Sequence, residues 1–220
     1  MNCKVLASGS RGNAVLLNDE ILIDCGVPFG RLSDYAQGLK LVVLTHIHSD
    51  HFKPKTLRAL HFQRPALRFL VPAYLTAAMR EIGIDRRLVD AARPGEHNLY
   101  PGLAGFEMYL TPHDVENCAW TVRFPNGERA FYATDCASLD GVQTKGADLY
   151  LLEANYEEQE LQERKAQKLS EGRFSYESRA EQTHLSREQA LRWLAENATP
   201  GKSRVIFLHE HKETKYAEQN

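Results

Sequence analysis

The sequence predicts an α/β fold of four layers, an αββα sandwich in which two stacked β-sheets are covered by helices on their outer sides. Two observations support this prediction. The chain has 220 residues, 43% of them hydrophobic, so it can bury one substantial core. Short β-rich runs fill two separate parts of the chain, and helical patterns follow each part. We therefore expect one domain over residues 1–220.

The first half of the chain predicts four strands and two helices. Three strands separated by short turn sequences indicate an antiparallel meander, and a fourth apolar run is typical of a buried central strand. Each helix opens at a proline, which suits a first helical turn. In order, the strands are CKVLA, AVLLN, EILIDCG and LVVLT, and the helices are PKTLRALHF and PAYLTAAMREIG.

The second half predicts five strands and one helix in the same style. Before that helix lies a charged stretch, residues 157–182, which we interpret as an insertion. Its glutamates nearly match its basic residues in number, so a solvated helix face of mixed charge is the favoured interpretation. The strands are FEMYLTPH, CAWTVRF, ERAFYATD, ADLYLLEA and RVIFLH, and the helix is SREQALRWLAENA.

Charge and apolar patterning exclude several classes of protein. A formal net charge of −2 argues against coating nucleic acid or a membrane through bulk charge, so a polyanion must be met by a local basic surface. No apolar run of about eighteen residues appears, and MNCKVLASGS lacks the apolar core of a signal peptide. We therefore expect a cytoplasmic protein that binds no membrane. The four cysteines are scattered, which predicts buried free thiols and no disulfide framework.

Three histidines and one aspartate occupy six positions directly after the LVVLT strand. They are His46, His48, Asp50 and His51. Neutral imidazole and carboxylate are ligands that zinc, manganese and iron(II) favour, and a loop at a strand end can turn successive side chains into one pocket. One isolated histidine is usually satisfied by hydrogen bonds, but burying four such groups without a metal would cost several kcal/mol. The cluster therefore predicts a metal site.

Three more residues whose side chains can bind a metal stand at the ends of later predicted strands. His113 closes MYLTPH, Asp135 closes AFYATD and His209 closes RVIFLH. Each has a plain alternative as a strand-end or turn residue. Together and in this order they extend the predicted metal site. His211 is a rival to His209, which is favoured because it follows its strand immediately.

The run His46-Ile47-His48-Ser49-Asp50-His51 resembles the H-x-H-x-D-H signature of the metallo-β-lactamase superfamily, whose fold is the αββα sandwich. The resemblance implies two divalent ions, zinc or manganese, with iron as a further option. Two ions about 3.5–4 Å apart can hold a bridging hydroxide and neutralise substrate charge, which is hydrolytic chemistry. The implied ligands are His46, His48 and His113 for one ion, Asp50, His51 and His209 for the other, and Asp135 for both.

Two segments resemble the phosphodiesterase branch of that superfamily, which includes tRNase Z. LLEANY is similar to its H-E-A-T segment, and THLSREQA is similar to its G-H-S-T-x-x-x-A segment. The resemblance implies that Glu153 and His184 form a dyad that assists proton transfer at the phosphate. The alternative is a strand-end charge and a residue preceding a helix. Leu152, Asn155 and Thr183 depart from the branch, which has histidine, threonine and glycine there.

The opening segment resembles that of one group of the superfamily, the YycJ/WalJ-type proteins. These proteins are described as metal-dependent DNA exonucleases. VLASGSRGNAVLL resembles their S-G-S-x-G-N segment, although a plain hairpin turn is the alternative. The resemblance implies that Ser10, Asn13 and Asn155 bind substrate and that Asp50 takes part in catalysis. No long glycine- and proline-rich arm interrupts the strands, and tRNase Z grips its substrate with such an arm. We therefore do not expect tRNA 3′ processing.

The charged stretch also has a functional interpretation beside the favoured one of a solvated face. Its basic side chains could meet a phosphate backbone, and two aromatic side chains could stack on a base. The basic residues are Arg164, Lys165, Lys168, Arg173 and Arg179, and the aromatic ones are Phe174 and Tyr176.

These patterns lead to the expectation of a dinuclear metallohydrolase acting on phosphodiester bonds, more narrowly a DNA nuclease of the exonuclease type. Its partner would be nucleic acid, or alternatively a small cyclic phosphodiester. A thioester or lactam hydrolase on the same fold would not need Glu153 and His184. A redox diiron protein would usually carry glutamate in place of the second histidine, His48. A metal-bound scaffold without catalysis is disfavoured because every expected ligand is present.

Overall fold

Two mixed β-sheets of six strands each form the centre of the protein in a computed structural model that describes residues 1–171 and 177–209. The strands of the first sheet are Cys3–Ala7 (β1), Ala14–Leu17 (β2), Ile21–Ile23 (β3), Leu41–Val43 (β4), Arg68–Pro72 (β5) and Val89–Ala92 (β6). Those of the second are His97–Tyr100 (β7), Ala104–Thr111 (β8), Asn117–Arg123 (β9), Arg129–Ala133 (β10), Leu149–Glu153 (β11) and Arg204–Leu208 (β12).

The two sheets share a plan. In the first, β1, β2 and β3 form the predicted antiparallel meander, and β4, β5 and β6 add in parallel beside β3. In the second, β7 to β10 form an antiparallel meander, and β11 and β12 add in parallel beside β10. Parallel strands run in the same direction, because each is reached by a crossover connection from the previous one. Their carboxyl ends therefore meet at one edge of each sheet.

The described residues include five α-helices, and helices cover the outer face of each sheet. Leu57 and Leu60 of the first helix pack on the first sheet, and Ala190 and Leu194 of the last pack on the second. This confirms the predicted αββα sandwich. None of the helices among these residues is long and apolar enough to cross a membrane. The helices are Pro54–Gln63 (α1), Thr76–Glu81 (α2), Glu158–Ser170 (α3), Glu177–Thr183 (α4) and Arg187–Asn197 (α5).

The main core lies between the sheets and draws on both of them. Val43 and Leu70 from the first sheet belong to the same buried cluster as Met108, Trp120 and Leu151 from the second. Alternate side chains of a strand point to opposite faces, so the other set on each sheet packs under the helices. The cysteines are free, and all but Cys3 are buried, as predicted.

One helix prediction was wrong at its start. Pro72 was expected to open a helix, but it is the last residue of β5 and pairs with Ala92 of β6. A turn of 3-10 helix, Ala73–Leu75, follows, and α2 begins only at Thr76. Pro72 has φ −56° and ψ 148°, an extended conformation that proline also suits at a strand end.

The charged stretch contains α3 and α4. Lys165 of α3 pairs with Glu181 of α4 at 2.6 Å, and Lys168 pairs with Glu177 at 2.6 Å. These ion pairs join the two helices, as expected for a surface of mixed charge. Arg173, Phe174 and Tyr176, for which a role in substrate binding was considered, lie outside the described residues.

Three loops meet at the carboxyl edge of the first sheet. The Asn13 backbone N–H donates to the Asp50 carbonyl at 2.7 Å, and the Gly26 N–H donates to the Asn13 carbonyl at 2.9 Å. The Cys25 N–H donates to the His51 carbonyl at 2.8 Å. A Cβ on Gly26 would lie 1.6 Å from the carbonyl oxygen of Asp50. Only glycine allows the loop with the clustered histidines to pack so closely on the loop after β3.

We predict that Gly26→Ala lowers the free energy of unfolding by about 4 kcal/mol or more, because the Asp50 carbonyl cannot move without breaking the contacts between these loops. Urea denaturation measures the change. Gly30→Ala is the matched control, since a Cβ there meets nothing within 4 Å. Equal stability of the two variants would contradict the close packing of the loops.

Candidate metal centre

Predicted ligands and further polar residues of the site collect at the carboxyl ends of strands from both sheets. Each follows, or ends, a strand whose apolar residues anchor it in the core. Asp24 follows β3, His46 follows β4, His113 follows β8, Asp135 follows β10, Glu153 ends β11 and His209 follows β12. The sandwich thus brings together side chains that lie far apart in the sequence.

His46 is fully buried and oriented through Thr45. The Thr45 hydroxyl donates to Asp24 at 2.9 Å, so its oxygen accepts from Nδ1 of His46 at 3.0 Å. Nε2 of His46 makes no hydrogen bond with any described residue and lies 3.4 Å from Oδ2 of Asp135. A buried imidazole nitrogen with a free lone pair is what a metal ligand requires.

His51 is oriented by a buried carboxylate. Its Nδ1 donates to Oδ2 of Asp24 at 2.7 Å, and Oδ2 also accepts from the Tyr132 hydroxyl at 2.8 Å. The backbone N–H of Thr45 donates to Oδ1 at 3.0 Å. These contacts direct Nε2 of His51 to Oδ2 of Asp135 at 2.9 Å. A carboxylate behind a ligating histidine fixes the tautomer and the ring orientation.

His48 and His113 form the outer side of the site. Nδ1 of His113 donates to the carbonyl of Thr183 at 2.9 Å, which turns its Nε2 toward Nδ1 of His48 at 3.3 Å. Oδ1 of Asp114 lies 3.1 Å from Nε2 of His113 and 3.4 Å from Nε2 of His48. The end of α4 therefore orients a ligand-type histidine that belongs to the second sheet.

Asp135 is common to all the ligand groups that the described residues form. In each group the ligand atoms lie within 4.8 Å of one another. This placement is what a residue between two ions would require, which is the role that the resemblance implies for Asp135. The groups are His46, His48, His113 and Asp135; Asp50, His51 and Asp135; and Asp135, Glu153, His184 and His209.

His209 is placed differently from the expected second ligand set. Its Nδ1 contacts Oδ1 of Asp135 and lies 3.4 Å from Oε1 of Glu153, so it groups with the dyad and not with Asp50 and His51. The distance between the ring centroids of His51 and His209 is 6.4 Å. His211, the rival ligand, lies outside the described residues.

The protonation of the histidines follows from burial and from nearby carboxylates. Burial lowers the pKa of His46, and the neighbouring His51 lowers it further, so His46 is neutral. Burial also lowers the pKa of His113. Burial opposes a charge on His209 as well, but its hydrogen bonds to Asp135 and Glu153 outweigh burial and raise its pKa to about 10. In the metal-free chain, a proton on His209 compensates for the two carboxylates.

This donor set fits divalent metal ions. The free nitrogen of His46 is buried beside a carboxylate, and neighbouring imidazoles have their Nδ1 atoms held by protein acceptors. Imidazole and carboxylate with oriented outer partners are the ligands of zinc, manganese and iron sites. The residues present therefore support metal binding, whichever of these ions is bound.

Glu153 and His184 are in direct contact. Nδ1 of His184 lies 2.6 Å from Oε1 of fully buried Glu153. Oε2 of Glu153 accepts from the backbone N–H of Cys136 at 3.0 Å and of Leu185 at 3.3 Å. Burial would raise the pKa of Glu153, but hydrogen bonds with His184 and His209 lower it below its usual range. A capping box at Ser186 starts α5 just after His184 and fixes the position of that segment.

The residues predicted to bind substrate are separated by the structure. Ser10 and Asn155 line a cavity of about 960 Å³ in front of the ligand groups. Asn155 also donates to the carbonyl of His209 at 3.0 Å. Asn13 departs from its prediction, because it is 2% exposed and does not line the cavity. Its amide lies 2.7 Å from Nε2 of His51 and holds the loops together instead.

Two residues of the site were missed in the sequence, Asp24 and Asp114. Asp24 stands within ILIDCG, which was interpreted only as a strand. A carboxylate directly after an apolar strand is a signal for Asp24, whereas the sequence offers no comparable signal for Asp114. Arg179, which was considered only as one of several basic residues for a phosphate backbone, lines the cavity and pairs with Asp114.

We predict that Asp24→Asn weakens zinc or manganese binding by about 10- to 100-fold, because His51 loses the charged acceptor of its Nδ1 proton. Asparagine suits the left-handed backbone of this position, where φ is 58°. Titration with a competing chelator measures the affinity. Asp34→Asn, on the exposed surface, is the control. Unchanged affinity in a folded Asp24→Asn protein would refute the orienting role.

Solved structures of known proteins resemble this fold. Human tRNase Z, short form, is 17% identical with a TM-score of 0.67 over 96% of this chain and 92% of that chain. YhfI of Bacillus subtilis, a metallo-β-lactamase fold protein, is 18% identical with a TM-score of 0.68 over 94% and 85%. A diphosphatase of the PhnP family is 18% identical with a TM-score of 0.63 over 94% and 85%.

At such identities these structures show a shared fold and no more. No curated protein matches the chain significantly in sequence. A family model does match: the β-lactamase superfamily domain covers residues 19–209, which is most of the chain and includes all the ligand groups. With the αββα sandwich and its histidine cluster, this match shows that the chain belongs to the β-lactamase superfamily.

Proposed function

We propose that this protein is a dinuclear metal phosphodiesterase, and more narrowly a nuclease that acts on DNA in the manner of the YycJ/WalJ-type proteins. One observation carries the proposal. His184 and Glu153 lie in hydrogen-bond contact, 2.6 Å apart, beside the same Asp135 that joins the metal-ligand groups. A lactam or thioester hydrolase on this fold has no need of such a dyad.

The ligand groups account for the first part of the reaction. Two bound ions would supply an activated water at neutral pH and would neutralise charge on the phosphate oxygens. Asp135, common to all the ligand groups, would help to hold both ions, and His46, His48 and His113 would hold one of them. Asp50, 3.8 Å from Nε2 of His51, shares a ligand group with His51 and Asp135 and would help to hold the second ion.

The dyad accounts for the departure of the leaving group. Glu153 accepts the Nδ1 proton of His184, so a protonated His184 carries its second proton on Nε2, where it can be given to the leaving oxygen. His184 is partly exposed and lines the cavity, which lets it reach a bound substrate. Glu153 is buried and acts through His184 by holding its ring in position.

Two of the similar structures support phosphate chemistry by their names, which denote a ribonuclease, tRNase Z, and a diphosphatase of the PhnP family. The narrower assignment to a DNA nuclease rests on the segment SGSRGN and on the dyad segments of this chain. Ser10 of SGSRGN lines the cavity, where it can contact a substrate phosphate.

We predict that protein loaded with manganese or zinc shortens 5′-phosphorylated, end-labelled DNA to a ladder or to mononucleotides, with RNA tested in parallel. Asp135→Ala should abolish the products, since Asp135 belongs to every ligand group. Cleavage of bis(p-nitrophenyl) phosphate alone would point to the small-diester alternative. Cleavage of neither polymer nor small diester would refute the proposed function.

We predict that His184→Ala slows turnover by about 10²- to 10⁴-fold while metal content stays near that of the wild type, because it removes the proton donor. Glu153→Gln should give a smaller loss, since it leaves His184 in place without its charged partner. His97→Ala, at an exposed position on β7, is the control. Full activity of His184→Ala, with elemental analysis showing normal metal content, would rule out the dyad.

A further inference from the structure

We propose that Arg11 and Arg179 are substrate-binding residues that hold phosphates on the two sides of the scissile phosphate. This inference rests on the proposed function and deepens it. It assigns an anion-binding position to each end of the cavity, so the preferred substrate is a chain with several phosphates. A small diester with a single phosphate would use at most one of these positions.

Arg11 lines the cavity from a loop that lies beside His209. It belongs to the loop between β1 and β2, which lines the cavity with Ser8 and Gly9. The Ser8 hydroxyl accepts from the backbone N–H of His209 at 2.6 Å, which fixes this loop next to His209. Arg11 is exposed and makes no hydrogen bond or ion pair with residues 1–171 or 177–209. Its guanidinium is therefore available to an anion.

Arg179 lines the cavity beside Asp114, which lies next to His48 and His113. Its guanidinium bonds Oδ2 of Asp114, whose Oδ1 lies 3.1 Å from Nε2 of His113 and 3.4 Å from Nε2 of His48. A guanidinium has five N–H donors, so the contact with Asp114 holds the group in place and leaves donors for a phosphate. The side chain is 71% exposed, which gives substrate access to those donors.

The other described basic residues of the charged stretch are engaged in ion pairs. Lys165 and Lys168 join α3 to α4 through Glu181 and Glu177. Arg164 pairs with Glu160 along α3. Of the described basic residues in this stretch, Arg179 is the one that lines the cavity. Arg179 is therefore the cation that the described part of this stretch contributes to the site.

The two arginines are set apart by the metal-ligand groups. Arg11 belongs to a loop that is fixed beside His209 through Ser8, whereas Arg179 is bonded to Asp114, next to the group of His48 and His113. A phosphate reacting between these groups would have an arginine on each side along the cavity. Successive phosphates of a nucleic acid strand match this arrangement, and each such contact contributes to salt-dependent affinity.

The test measures binding of a fluorescein-labelled single-stranded DNA oligonucleotide to manganese-loaded protein by fluorescence anisotropy, in the His184→Ala background to slow cleavage. Arg11→Ala and Arg179→Ala should each raise Kd by about threefold or more and reduce the slope of log Kd against log salt by about 0.7. Arg58→Ala, an exposed arginine of α1 outside the cavity, should change neither quantity. Arg179→Lys should keep the slope, because it keeps the charge.

Three results would overturn the proposal. In the first, either Arg11→Ala or Arg179→Ala behaves like Arg58→Ala. In the second, Arg179→Lys binds the oligonucleotide as weakly as Arg179→Ala. The loss of binding would then come from the lost contact with Asp114 and not from a lost contact with a phosphate. In the third, the variants lose as much activity on bis(p-nitrophenyl) phosphate as on the oligonucleotide. Failure of the wild type to cleave any diester would instead refute the proposed function, and the binding results would still decide the roles of Arg11 and Arg179.

Discussion

The candidate site depends above all on the buried carboxylate of Asp24. It is fully buried, and its partners are Thr45, His51 and Tyr132, the last from the opposite sheet. An isolated buried carboxylate is strongly unfavourable, whereas one that accepts several hydrogen bonds holds its donors in fixed positions. Through Thr45 it orients His46, and directly it orients His51. One side chain thus ties the two sheets together and sets the ligand atoms of two predicted metal ligands.

The backbone at the strand ends shows a second constraint. Asp24, Asp135 and His209 each follow a strand and each adopt a left-handed conformation, with φ of 58°, 54° and 53°. Such a conformation is uncommon for residues other than glycine, and it persists where surrounding contacts over-determine it. Here the contacts are the hydrogen bonds among these same side chains. The turn after each strand points a polar group back over the sheet edge, which explains how short strands can build a dense polar site.

The sequence predicted features that neighbouring residues determine, and it missed contacts between residues that only the folded chain brings together. His46, His48, Asp50 and His51 lie within six positions, so their spacing alone indicates a site. The sandwich followed from periodicity, but Pro72 was misassigned because proline suits both a helix start and a strand end. Asp114 and Arg179 are 65 positions apart, and their contact arises only when α4 packs against the second sheet. No local pattern encodes such a pair.

The charged stretch contacts residues of the site directly, although its surface has the mixed charge of an ordinary solvated helix. α4 ends at Thr183, whose carbonyl holds His113, and the next residue is His184, which pairs with Glu153. Any movement of α4 would therefore shift a predicted metal ligand, the proposed proton donor and Arg179 together. Because α3 is joined to α4 by ion pairs, its position bears on the same three side chains. The position of the charged stretch therefore bears on each of the three roles proposed for the site, which are metal binding, proton transfer and recognition of the substrate.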